Sequence, residues 1–459
     1  MPTFEEVLQE NSDLRRRVAE QERRIAQLEK IIEELRRGGK RQAAPFSKGE
    51  PKSDPQKPGR KPAEKYGERA CRPVPEHVDE TIEVDSPATC EICSGLAGWI
   101  GEERQYQIDL PEIRPQTTEF VLQVSECTQC GHRMRGRHPR QTSQAVGSAG
   151  VQIGPGVVSL ATFLNKVGGL SYGKITTVLE HLAGLRVARS TLCRALLRTA
   201  SKSQPIYQEL VEAIRTSPVV YPDESGWREG GLRAWLWAFT NRRETVYLIA
   251  RGRGFDEAAS ILGKEYAGTL VADGWAPYRR FVHARHQTCL AHLLRRCREM
   301  LETAQGGAVR FPRRVQGLLQ AALAVRDQRQ AGTISSQDVQ LAKGHLAAQM
   351  DRLLSGCFTH EGNRRLAKHL RCNREALFLF LDSEDIEATN WPAEHAIRPA
   401  VVNRKSCGGN RTRRGAEAQA VLMSLLRTLQ QHSINSLSAF KTLLRCPQTP
   451  SYSDLLEPL

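Results

Sequence analysis

The chain has 459 residues, with 66 Lys and Arg against 51 Asp and Glu, a formal net charge of +15. An apolar content of 40% with 25% charged residues excludes a wholly disordered or fibrous chain, and no apolar run reaches the roughly 18 residues of a membrane span. A positive excess of this size points to a polyanionic partner, nucleic acid above all. The opening Met1-Pro2-Thr3-Phe4-Glu5-Glu6 lacks the basic-then-apolar pattern of a secretory leader. That predicts a cytoplasmic, nucleoid-associated protein whose 12 cysteines serve as metal ligands or buried thiols rather than disulfides.

In chain order, the first predicted element is a heptad helix over 1–37. Phe4, Asn11, Val18, Ile25 and Ile32 recur every seven residues, as do Val7, Leu14, Gln21, Leu28 and Leu35, and eight of these ten are apolar. This is the seam of a coiled coil, which predicts a homo-oligomer, with Asn11 setting register. Residues 38–72 are rich in Pro, Lys and Gln, as in Lys57-Pro58-Gly59-Arg60-Lys61-Pro62, and read as a flexible basic linker.

A zinc-binding module is predicted over 73–145. Cys90-Glu-Ile-Cys93 and Cys127-Thr-Gln-Cys130 form two knuckles that can close a tetrahedral thiolate site on one structural Zn²⁺, with strands expected between Glu103 and Gln123. His132 or His138 is an alternative ligand. Residues 150–205 read as helices. Tyr172–Leu182 and Ala188–Arg198 flank a turn at Ala183-Gly184-Leu185, the pattern of a helix-turn-helix. Its second helix would offer Arg189, Ser190, Thr191 and Arg194 to a DNA groove. Such hairpins also serve as plain packing units.

The chemistry is expected between 215 and 415. Strands are predicted at Pro218–Trp227, Arg233–Phe239 and Glu244–Ala250, a helix at Phe255–Leu262, and further strands at Gly268–Gly274 and Ala284–Leu290. Three antiparallel strands followed by alternating helix and strand is the order of a ribonuclease-H-like core, here over 215–300. Two of these strands run into Asp223 and Asp273. A third carboxylate, Glu394, sits in the opening turn of a helix begun by Trp391-Pro392. Three converging carboxylates suit two Mg²⁺ (or Mn²⁺) ions, which about 3.5–4 Å apart clamp both oxygens of an in-line phosphoryl displacement. Glu224, Glu384, Asp385 and Glu387 are rivals for individual roles. Cys289-Leu-Ala-His292 reads either as a unit that binds metal or supports the acids, or as a buried thiol beside a helix-start histidine. Arg398, Arg404, Lys405, Arg411, Arg413 and Arg414, beside Gly408, Gly409 and Gly415, suit a phosphodiester path, within a second part of the core over 387–415 made of the helix with the third acid and a basic, glycine-bearing loop.

Taken together, Pro222-Asp223-Glu224-Ser225-Gly226-Trp227, Asp273-Gly274-Trp275-Ala276-Pro277-Tyr278, Cys289-Leu-Ala-His292-Leu-Leu-Arg295, Asn390-Trp-Pro-Ala-Glu394-His-Ala-Ile-Arg398-Pro399 and Arg404-Lys405 closely resemble the insertion sequence 66 family of bacterial DDE-type transposases. The resemblance implies Asp223, Asp273 and Glu394 as the metal-binding catalytic acids and a helical insertion between the second and third, here 301–386, followed by a C-terminal helical region at 416–459. It also implies accessory proteins of the element as possible partners. Ser225 stands where the family usually has Thr, and Cys407–Arg414 departs from the expected Gly-Ser pattern. The expected protein is thus a multidomain α/β DNA transposase that binds transposon ends and target DNA, cutting and joining strands. The alternatives are a metal-dependent nuclease without strand transfer and a zinc-containing DNA-binding regulator derived from a transposase.

Overall fold

The computed structural model describes residues 72–303 and 305–456, together with Arg17, Val18, Glu20, Gln21, Glu22 and Arg24. The heptad seam and basic linker expected over 1–72 fall almost wholly outside the described residues. Between 73 and 145 the backbone is extended and nearly every residue is exposed. Its ladder is a short antiparallel pair, β1 (Val124–Glu126) and β2 (Arg133–Arg135). The strands expected between Glu103 and Gln123 are not there. Pro111 and Pro115 remove two donors from that stretch, and no neighbouring strand lies against it.

From residue 155 onward the chain packs tightly. Helix α1 (Pro155–Lys166) opens on Pro155, whose missing N–H costs nothing in a first turn. Helix α2 (Tyr172–Ala183) is capped by the Ser171 side chain accepting from the Lys174 N–H, and Gly184 ends it in the left-handed conformation. Helices α3 (Arg189–Lys202) and α4 (Gln204–Arg215) follow. Buried Ile175, Leu179, Leu192 and Leu196 join α2 and α3 to the main core.

The sheet contains β3 (Val219–Glu229), β4 (Leu232–Thr240), β5 (Thr245–Ala250), β6 (Thr269–Ala272) and β7 (Arg285–Thr288), in the order β5-β4-β3-β6-β7. The first three are antiparallel; β6 runs parallel to β3, and β7 parallel to β6. Helix α5 (Phe255–Leu262) makes the crossover from β5 to β6, bounded by Gly254 and Gly263. Period-two alternation divides the central strands between two cores. Val220, Trp237, Phe239 and Leu270 face the core shared with α1–α5. Leu236, Ala238 and Tyr247 face helices α10 (Trp391–Cys407) and α11 (Arg413–Gln431). With helices on both faces, the interior strand β4 is nearly continuously apolar, as Ala234-Trp235-Leu236-Trp237-Ala238-Phe239 shows.

After β7, α6 (Leu290–Thr303) leads into α7 (Arg310–Gln330), α8 (Ser336–Leu354) and α9 (Glu361–Cys372). These helices build a core that takes in Tyr221, Val271 and Leu290, so the insertion is welded to the sheet edge. Helix α9 stops at Cys372. There the Asn373 amide donates to the His369 carbonyl at 2.8 Å, and two 3-10 turns follow. Beyond α11, α12 (Ser436–Arg445) and α13 (Tyr452–Leu456) return to the main core through Phe440, Leu443 and Leu455. Among the described residues no helix is long and apolar enough to cross a membrane.

Candidate active site

Asp223 and Glu224 are adjacent on β3 and therefore point to opposite faces. Asp223 pairs across the ladder with Ala238, on the α10 side of the sheet, whereas Glu224 pairs with Trp237, on the other. Glu224, with its side chain 4% exposed, is neutralised: Arg253 reaches it at 2.7 Å and the Tyr278 hydroxyl donates to it at 2.8 Å. The Arg253 guanidinium is itself held between the rings of Trp235 and Trp275, 4.4 and 4.5 Å from their centroids. This fixes the turn after β6 against β4. Of the rival acids, Asp385 pairs with Arg242 at 2.8 Å and Glu384 lies 3.8 Å from Arg329, both on the insertion side, while the Glu387 N–H donates to the Tyr221 hydroxyl.

Asp273 follows the last residue of β6. The β3–β6 register pairs Val219 with Thr269 and Val220 with Leu270, so its continuation sets Asp223 level with Asp273. The Asp273 carboxylate accepts the Trp275 N–H at 2.9 Å, and Gly274 between them adopts φ 84°. A Cβ on Gly274 would lie 3.0 Å from the His369 ring of α9, so only glycine lets the insertion approach this turn.

Glu394 sits in the first turn of α10 with its own N–H bonded to the Asn390 carbonyl. Asn390 anchors that turn. Its amide donates to the Pro222 carbonyl, next to Asp223, at 2.8 Å, and its N–H points at the Cys289 sulfur at 3.1 Å. The three acids therefore share one end of the sheet, close enough for Asp273 and Glu394 to act on Asp223 by charge, although their oxygens are not all within 4.8 Å of one another as the ligand atoms of Cys289, His292 and Glu394 are. Their mutual charge is visible in Asp223. Burial first, then the Glu224 carboxylate, with Asp273 and Glu394 adding, push its carboxyl up to about 7 against the opposing hydrogen bond from the Glu224 N–H.

Cys289 is fully buried at the end of β7, and His292 lies one turn into α6 with Nδ1 3.7 Å from a Glu394 oxygen. The Cys289 sulfur and then the Glu394 charge raise the His292 pKa, against the opposing effect of burial. The paired cysteines lie elsewhere. Cys90 accepts backbone N–H bonds from Cys93 and Ile92, and Cys127 from Cys130 and Gln129, which lowers both thiol pKa values. Each turn thus has knuckle geometry. The two knuckles do not meet: among the described residues, Cys289, His292 and Glu394 are the group of three or more candidate ligands gathered within 4.8 Å of one another. His132 and His138 join no such group.

The expected DNA-facing residues divide. Arg189, Ser190 and Arg194 are exposed on α3 and Thr191 is partly so, with the Arg189 guanidinium resting on Gly173 of α2. Arg398 and Lys405, two turns apart, share the exposed face of α10 with Glu394. Arg411 and Arg414 are exposed as well. Arg404 instead turns inward to the Ser225 hydroxyl at 3.1 Å and to the Gly226 carbonyl. Arg413 binds the Ile249 carbonyl at 2.8 Å and Glu417 at 3.0 Å. The basic loop is also shorter than expected: Thr412 caps α11, which takes in Arg413, Arg414 and Gly415.

Sequence reading missed Arg253 and Tyr278, whose partner Glu224 is distant in sequence. It also missed Trp391, 63% exposed and stacked on His395 at 5.1 Å beside Glu394. An outward-facing tryptophan next to the acids is an uncommon expense for a soluble surface.

Residues 150–418 match the family described as "Transposase IS66 family". No curated protein matches the chain.

Proposed function

Because the chain belongs to the IS66 family of transposases, we propose that it is a DNA transposase that cuts transposon ends and joins them to target DNA at Asp223, Asp273 and Glu394. The observation that carries this reading is the uncompensated negative charge at one sheet edge. The nearby cation Arg253 is committed to Glu224, and Asp223 is left with its carboxyl pushed up to about 7 beside two further acids. A carboxylate site short of positive charge, made of oxygen donors alone, fits Mg²⁺ or Mn²⁺. Asp223, Asp273 and Glu394 are the residues that would hold such ions. When bound, two ions supply the clamp on attacking and leaving oxygens that in-line phosphoryl displacement requires.

The chain's own part is positioning. Backbone N–H groups of Glu224 and Trp275 orient the Asp223 and Asp273 carboxylates, at 2.9 Å each. Glu394 is held in the opening turn of α10, where its own N–H bonds the Asn390 carbonyl. The exposed face of α10, with Arg398 and Lys405, carries a phosphodiester toward Glu394, and Trp391 offers a base a stacking surface. The sheet, on this reading, is ribonuclease-H-like. The α2–α3 pair grips DNA through Arg189, Ser190, Thr191 and Arg194. Cys90, Cys93, Cys127 and Cys130 would hold one structural Zn²⁺ once the two separate knuckles are brought together, and the ion would then order a segment with almost no buried apolar surface.

The test is labelled duplex bearing the element's end, incubated with the full-length protein, target DNA and Mg²⁺. Joined products are expected. Asp223→Ala, Asp273→Ala and Glu394→Gln should each lower cleavage and joining by roughly 100-fold or more while DNA is still bound. Cleavage without joining would make the protein a nuclease, and shifted but intact DNA a regulator. Normal activity in any of the three variants would overturn the site.

A further inference from the structure

Cys289, His292 and Glu394 come together with their ligand atoms within 4.8 Å of one another, a sulfur, a nitrogen and an oxygen from three positions of the fold. The His292 Nδ1 is buried without a hydrogen-bond partner and stands 3.7 Å from Glu394 Oε1. That separation is too long for a hydrogen bond. It matches the spacing of two ligands on one tetrahedral ion, roughly 3.3–3.8 Å for bonds of about 2.0–2.3 Å. The Cys289 sulfur is prepared in the way metal thiolates are. It precedes the N-terminus of α6 and receives the Asn390 N–H at 3.1 Å.

We propose that Cys289, His292 and Glu394 form a site for one Zn²⁺ ion, distinct from the knuckle cysteines and sharing Glu394 with the oxygen-only site. Thiolate and imidazole select zinc or cobalt over magnesium. Three protein ligands leave the fourth position open, and the partial exposure of His292 and Glu394, 36% and 41%, places that position toward solvent. Zn²⁺ held there engages the carboxylate of Glu394 and so competes with Mg²⁺ for it. The competition rests on the reading of Glu394 as the third catalytic acid; the binding of zinc does not.

Metal-stripped full-length protein, loaded with Zn²⁺ or Co²⁺ and freed of excess, tests the binding. The wild-type chain should retain one more equivalent than Cys289→Ser or His292→Ala. Its cobalt form should show a thiolate charge-transfer band that these variants lose in part. A Cys90→Ser/Cys93→Ser chain should keep that equivalent, and Asp223→Asn should keep it while losing DNA cleavage. The His292→Ala variant guards against misfolding, since His292 is only half-buried and circular dichroism can confirm its fold. Equal stoichiometry and identical cobalt spectra in the wild type and His292→Ala, or loss of all bound metal in the knuckle variant, would overturn the proposal.

Discussion

Asp223 is the residue whose ionisation the fold resists most clearly at the site. An unfolded aspartate ionises near 3.8, whereas burial and the neighbouring carboxylates push the folded group up to about 7. Between those values the folded chain keeps a proton that the unfolded chain has lost. Stability must therefore fall as pH rises from about 4 to about 7 and stay level above, by no more than about 4 kcal/mol from this group. Asp223→Asn removes the titration, so in the presence of a chelator its Tm should change less than that of the wild type between pH 5 and pH 8. Adding Mg²⁺ at pH 8 should raise the wild-type Tm and leave the variant's nearly unmoved. Identical pH profiles for the two proteins would show that Asp223 is not the strained group. Glu224, one residue on, is pushed up by burial as well, but Arg253 and Tyr278 oppose that shift and occupy its oxygens.

At the scale of elements, the segment between α10 and α11 shows how a basic loop is tied to β3, the strand that carries Asp223. Asn410 lies in a parallel bridge with Glu229, its N–H bonds the Arg228 carbonyl at 2.9 Å, and its side chain accepts the Trp227 indole N–H at 2.9 Å. Gly409 makes the approach possible. It has φ 112°, and a Cβ there would stand 2.4 Å from the Arg228 carbonyl oxygen. Gly409→Ala should destabilise the protein by about 1–3 kcal/mol, read as a lower urea midpoint at unchanged slope. It should also lower DNA cleavage, because the end of β3 is displaced. The same segment shows what the sequence could and could not disclose. Strand β4 and helix α5 were legible because apolar runs and bounding glycines are local signals. Asp273 and Glu394 were legible too, at the end of a strand and the start of a helix, whereas Asp223 lies inside β3, which runs on to Glu229. Thr412 is a good N-cap, yet the dense arginines after it read as a loop, since the partners that absorb Arg413 lie far away on β5 and β3. Helix α7 was swallowed in a broadly helical insertion because arginine and glutamine dilute its apolar face. The strands expected before Val124 had residues of the right type but no partner strand.

The whole molecule is a tightly cored body with an open, exposed segment before it. Among the described residues no buried apolar side chain precedes Val158, and all three cores draw on residues from Ile153 onward. A chain beginning at residue 150 should therefore unfold with a Tm within a few degrees of the full-length value; a large drop would mean the preceding segment adds packing that these cores lack. DNA affinity is the property expected to depend on more than the body's stability, and its electrostatics make the last prediction. Each phosphate neutralised on duplex DNA contributes about 0.9 to the slope of log affinity against log salt. Arg398, Lys405, Arg411 and Arg414 are exposed; Arg413 is exposed too, but its guanidinium bonds the Ile249 carbonyl and Glu417, and the partly buried Arg404 is tied to Gly226. Alanine at any of the first four should flatten the slope by up to about 0.9, with Tm little changed. Alanine at Arg404 or Arg413 should lower Tm, since each leaves a strand carbonyl without its donor, and should leave the slope nearly as it was. Fluorescence anisotropy on any duplex, repeated at several salt concentrations, separates the two groups. If Arg413→Ala flattens the slope as much as Arg398→Ala, Arg413 neutralises a phosphate as well and its bonds to Ile249 and Glu417 do not withhold it from DNA.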